Sequence, residues 1–104
     1  MQEGTQFMPP TQAWQLLART FQLTELLVRR ERLPVDFQPT DAISLYEEAI
    51  STHERSILSF LLHVWNRYDF PFELSEIAMW SPEHQKAFCG WVNGGTLGQP
   101  CRYF

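Results

Sequence analysis

"STHERSILSFLLHVWNR", Ser51 to Arg67, is the stretch that decides the fold. It opens with a capping box. The Ser51 hydroxyl is spaced to take the Glu54 amide, and the Glu54 carboxylate to take the Ser51 amide. The apolar residues Ile57, Leu58, Phe60, Leu61, Leu62, Val64 and Trp65 then cover most of the circumference of a helix. Only Arg55, Ser56, Ser59, His63 and Asn66 form a narrow polar strip. The pattern predicts a central helix over 52–67, packed on several sides.

Working outward, "TQAWQLLARTFQLTELLVRRER" follows Pro9 and Pro10, with Thr11 placed to cap. Trp14, Leu17, Phe21 and Val28 recur at helical spacing. Leu16, Leu23, Leu26 and Leu27 lie beside them, so the stripe is not clean. We read a helix over 12–31, bent near Thr20, with Arg29, Arg30 and Arg32 at its negative end. Pro34 and Pro39 make "LPVDFQP" a linker. Thr40 or Asp41 then caps a helix over 41–50, with Ala42, Ile43, Tyr46, Ala49 and Ile50 on one face. Past the central helix, Pro71 sets Phe70 extended. Residues 74–79 suit a short helical turn with Leu74, Ile77 and Ala78 inward. Ser81-Pro82-Glu83 starts a last helix over 82–93. It buries Ala87, Phe88, Trp91 and Val92 and stops at Gly94-Gly95. Gly90 inside it suggests close packing against another helix. Residues 1–10 read as a loose lead-in and 96–104 as an irregular tail, with Cys101, Tyr103 and Phe104 apolar enough to dock. The expected fold is all-α. It is a single-domain bundle of four main helices plus one turn.

Composition agrees. The chain has 104 residues, 44% hydrophobic and 14% aromatic, which suits one domain with one core. A net charge of −4 is too small for a disordered chain of this hydrophobicity. Residues 1–40 are balanced, and residues 41–104 hold the whole excess of acid. That balance argues against broad phosphate-backbone binding, which needs a basic face. No segment approaches the ~18 apolar residues of a membrane helix. "MQEGTQFMPP" has neither the basic nor the apolar region of a signal peptide. Two cysteines, Cys89 and Cys101, are too few for a secreted disulfide scaffold, and no bridge between them is indicated. A cytoplasmic, reduced protein is expected.

Catalytic spacing is missing. His53, His63, His84, Cys89 and Cys101 form no Cys-x-x-Cys, His-x-x-x-His or Glu-x-x-His set. Cys89 could use His84 or His63 as base, but a cysteine beside Phe88 on a helix is more often buried and inert. Glu47 and Glu48 are adjacent and diverge on a helix, as a solvated edge does. Serine hydrolase, Walker and dinucleotide signatures are absent. A helix-turn-helix made of 52–67 and 82–93 would have too long a connection and too few bases. No enzyme, cofactor or metal is expected.

That leaves "WNRYDFPFEL". Trp65, Arg67, Tyr68 and Phe72 are the residue types that dominate interface hot spots. Phe70 and Phe72 flank Pro71 and alternate sides, and Arg67 is spaced to pair with Asp69. The candidate partner surface joins Trp65, Arg67, Tyr68, Phe70 and Phe72 with Trp80. The competing reading is a helix exit stapled to the core by its aromatics.

"ILSFLLHVWNRYDFPFELSEIAMW", over residues 57–80, resembles a family of small uncharacterised proteins from proteobacterial genomes and mobile elements. The shared pattern falls on Leu61, Leu62, Trp65, Asn66, Phe70, Pro71, Phe72, Glu73, Leu74 and Ile77. It covers about a quarter of the chain and leaves residues 1–40 out. The resemblance implies a small, cytoplasmic, non-enzymatic accessory protein of a plasmid or integrative element.

The expected function is a protein-protein interaction module whose partner is another protein or a second copy of the chain. The alternative is nucleic-acid-linked regulation. It would act as a DNA binder through Arg29, Arg30 and Arg32, or as an acidic DNA mimic through Asp41, Glu47, Glu48 and Glu54.

Overall fold

A computed structural model describes residues 11–48 and 51–93. Among them are five α-helices and one 3-10 helix, with no strand. The helices are α1 (Thr11–Arg19), α2 (Gln22–Arg29), α3 (Pro39–Glu47), α4 (Thr52–Trp65) and α5 (Pro82–Val92), and the 3-10 helix is Leu74–Met79. The all-α class is as predicted. The lead-in over 1–10, Ala49 and Ile50, the Gly94-Gly95 stop and the tail with Cys101 lie outside the described residues.

The predicted helix over 12–31 is two helices. Phe21 adopts an extended backbone (φ −94, ψ 130), and the Thr20 hydroxyl donates to the Leu17 carbonyl at 2.6 Å. The reason is burial. At ~100° per residue, a straight helix would set Leu23 roughly opposite Trp14. The break turns Leu23 and Leu27 inward, each 5% exposed, while Trp14, Leu17, Ala18 and Phe21 stay buried. Leu16 is left outside.

α2 ends in a Schellman motif. The Arg32 amide donates to Leu27 O at 2.8 Å and the Glu31 amide to Val28 O at 3.0 Å. The motif needs a left-handed residue, and Glu31 supplies it at φ 60. The "LPVDFQP" linker is pinned to α1. Leu33 and Phe37 are buried, Phe37 packs edge-on against Trp14, and Arg19 lies over the Phe37 ring. α3 starts two residues earlier than predicted. Pro39 is its first residue and Gln38 its cap. The Asp41 carboxylate accepts the Gln38 amide at 2.7 Å, so Asp41 closes the first turn from inside the helix.

α4 is central, packed against α1 and α3, and α5 packs against α2. The Ser51 half of the predicted box is formed, with its hydroxyl accepting the Glu54 amide at 3.1 Å. The helix stops at Trp65, two residues short of expectation, because Asn66 leaves helical geometry (φ −151, ψ 90). One aromatic cluster forms around Phe60, whose ring lies 5.4–5.7 Å from those of Phe21, Phe72, Trp80, Phe88 and Trp91. Trp14, fully buried, donates its indole N–H to the Leu61 carbonyl at 2.8 Å. Two expectations for α5 fail. Val92 is exposed, and Gly90 is exposed, with no described helix within 4 Å of where its Cβ would stand.

Candidate functional site

The segment from Trp65 to Trp80 is built on the polar strip of α4. The sequence marks that strip only as polar, and within it Ser56, His63 and Asn66 are buried. Each meets a hydrogen-bonding partner in the chain that follows the helix. His63 donates its Nδ1 proton to the Phe70 carbonyl at 2.9 Å. Ser56 Oγ accepts the Trp80 indole N–H at 3.0 Å and donates to Glu76 Oε1 at 2.6 Å. Asn66 makes an Asx turn. Its Oδ1 accepts the amides of Tyr68 (3.2 Å) and Asp69 (3.4 Å), and its Nδ2 donates to the Asp69 carboxylate at 2.9 Å. From the other side, Gln85 of α5 donates to the Ile77 carbonyl at 2.9 Å.

These anchors divide the predicted surface. Phe72 (9% exposed) and Trp80 (4%) are core residues and drop out of it. The physical reason is the anchoring itself. Phe72 is drawn against Phe60 and His63, and Trp80 against Phe60 and the Ser56 hydroxyl. Phe70 takes the other side of Pro71, half-buried against Tyr46 and Trp65. Trp65 and Arg67 are also half-buried, with the Arg67 guanidinium 5.3 Å from the centre of the Tyr68 ring. Tyr68 is the one predicted residue that stands well out, at 55%. Leu74 (48%) and Met79 (56%), read as inward or left unassigned, join it outside. Ala78 is exposed as well, and Ile77 half-buried. A 3-10 helix repeats every three residues, so Ala78 falls a third of a turn away from the Leu74–Ile77 row that an α-helical reading would join it to.

Ser81 Oγ lies 2.7 Å from His84 Nδ1, the spacing of a nucleophile and its base. The pair cannot act so. His84 Nε2 accepts the Leu23 amide at 2.9 Å. The neutral ring therefore carries its proton on Nδ1 and donates it to Ser81, leaving no lone pair to take a proton from the hydroxyl. Burial, and secondarily His53, lower the His84 pKa against the opposing pull of Glu83. Cys89 is exposed, not buried as its neighbour Phe88 suggested. His63 and His84, its candidate bases, are both buried and hydrogen-bonded elsewhere. Among the described residues, no group of three His, Cys, Asp or Glu side chains could hold a metal ion. No described helix is long and apolar enough to cross a membrane.

The charged alternatives are partly spent on internal contacts. Arg32 pairs with Glu48 at 2.9 Å, which removes one member from each proposed set. Asp41 is engaged with the Gln38 amide. Arg55 donates to the Glu48 carbonyl at 2.8 Å and lies over the Tyr46 ring. Arg29 and Arg30 are exposed, with exposed Glu31 next to them.

No family model matches the chain, and neither a curated protein nor a solved structure is significantly similar to it.

Proposed function

We propose that this chain is a small, non-enzymatic protein-binding module that works through the rim of residues 65–79. Tyr68, Leu74 and Met79 form the centre of the contact, with Trp65 and Arg67 beside them. One observation carries the reading. The segment is held at Ser56, His63, Asn66 and Gln85 by hydrogen bonds, yet it turns three large apolar side chains to solvent. A segment fixed in this way loses little freedom when a partner docks, which favours affinity. Aromatic and methionine side chains are the types enriched at such contacts. On the resemblance over residues 57–80, the module would serve as an accessory protein of a mobile element, in the cytoplasm.

The test is capture from a lysate of the native host by the tagged protein, run beside a Tyr68→Ala/Leu74→Ser/Met79→Ser variant. The variant should lose the captured protein and keep its helical circular dichroism. Light scattering on both proteins reads out self-association, the outcome expected if the partner is a second copy. Equal capture and equal oligomeric state in the two proteins would overturn the proposal.

A further inference from the structure

His84 joins two helices that are distant in sequence. It sits in the first turn of α5 and is 6% exposed. Its ring stacks on Phe21 at 6.0 Å and meets the His53 ring at 6.2 Å. Its Nε2 accepts the Leu23 amide, one of the orphan donors at the start of α2. Phe21, at the capping position of α2, has no side chain able to accept such a bond. The imidazole thus does from α5 what a serine or aspartate would do from within the chain. A backbone amide can only donate, so the contact exists only while Nε2 is unprotonated. Protonation would set N–H against N–H. It would also place a positive charge at the positive end of α2.

The ionisable groups bearing on the ring are His53, from the first turn of α4, and Glu83, beside it on α5. Towards α2 and the junction before it, the ring meets the Leu23 amide and the Phe21 ring. A charge on His53 acts against the protonated form of His84. We propose that His84 is an acid-released latch: neutral, it closes α5 onto the start of α2, and protonated, it frees that contact before the rest of the core opens. The sign follows from the folded pKa lying below the ordinary imidazole value of about 6.5. The latch is fully closed above that value. It weakens as pH falls below it, towards the folded pKa.

The experiment uses the full ¹⁵N-labelled chain and reads two things. Long-range ring correlations report the tautomer, which should carry its proton on Nδ1 at about pH 7.5. Amide exchange, corrected for intrinsic rates, is compared between about pH 7.5 and about pH 5. Protection at Leu23 and along α5 should fall roughly tenfold more than at Leu61 and Leu62 of α4. His84→Gln keeps an acceptor near the Nε2 position and does not titrate, so it should lose that excess. A proton on Nε2, an equal fall in α4 and α5, or the same excess in the glutamine variant would each overturn the latch. If that variant does not fold, the tautomer and the wild-type exchange pattern decide alone.

Discussion

Replacing Ser56 with alanine removes one oxygen and should unfasten the end of the candidate surface from the core. Ser56 Oγ is the acceptor for the Trp80 indole N–H, and Trp80 is 4% exposed. Its ring is packed against Phe21, Phe60, Phe72 and Phe88, so water does not replace the lost acceptor. A buried donor left without a partner costs about 1–3 kcal/mol. Glu76 also loses its Ser56 bond. It is only half-buried and can turn to solvent, which limits that loss to about 0.5–1 kcal/mol. Alanine returns roughly 0.5 kcal/mol as the better helix former. The net expectation is a loss of about 1–3.5 kcal/mol. In urea unfolding followed by circular dichroism, that lowers the midpoint by roughly 1–2 M for a domain of this size. Trp80→Phe removes the donor, so in that background Ser56→Ala should cost no more than about 1 kcal/mol. A midpoint shift under about 0.3 M would refute the reasoning, as would equal costs in the two backgrounds.

Two further substitutions should stabilise the chain, each for a backbone reason. Glu31 holds the left-handed position that closes α2, so Glu31→Gly should raise the unfolding free energy by about 1 kcal/mol, with Glu31→Ala giving no such gain. Gly90 lies inside α5, and no described residue beyond its own helix comes within 4 Å of where its Cβ would stand. Gly90→Ala should therefore add about 0.5–1 kcal/mol in chemical denaturation, and a loss of stability would mean that a neighbour does approach it.

The helices were legible wherever the signal is local. Ser51 and Ser81 cap α4 and α5 as read, because a hydroxyl before an acidic first turn needs nothing from the rest of the molecule. The start of α3 was misplaced because Gln38 is not a preferred cap, while Thr40 and Asp41 are attractive ones. The division between α1 and α2 could be suspected near Thr20 but not established. It depends on whether Leu23 and Leu27 find a core to face, and that is decided by α4 and α5.

The candidate surface shows a different limit. Periodicity separates polar from apolar faces, but it does not tell a face turned to water from one turned to hydrogen-bonding groups. Ser56, His63 and Asn66 form a polar strip in the sequence. In the fold they are the row of contacts that recaptures the chain after Trp65. Once the chain is recaptured there, the fate of each aromatic follows. Phe72 and Trp80 lie beyond the Asx turn, where the backbone runs back along α4, so they enter the core with Phe60. Tyr68 lies within the turn itself, where Asn66 holds its backbone amide and leaves its ring outside. Residue type alone marked all three as hot-spot material. The asparagine that follows the helix is what separates one surface residue from two core residues, and it acts through local hydrogen bonds that a turn-by-turn reading of "WNRYD" can recognise.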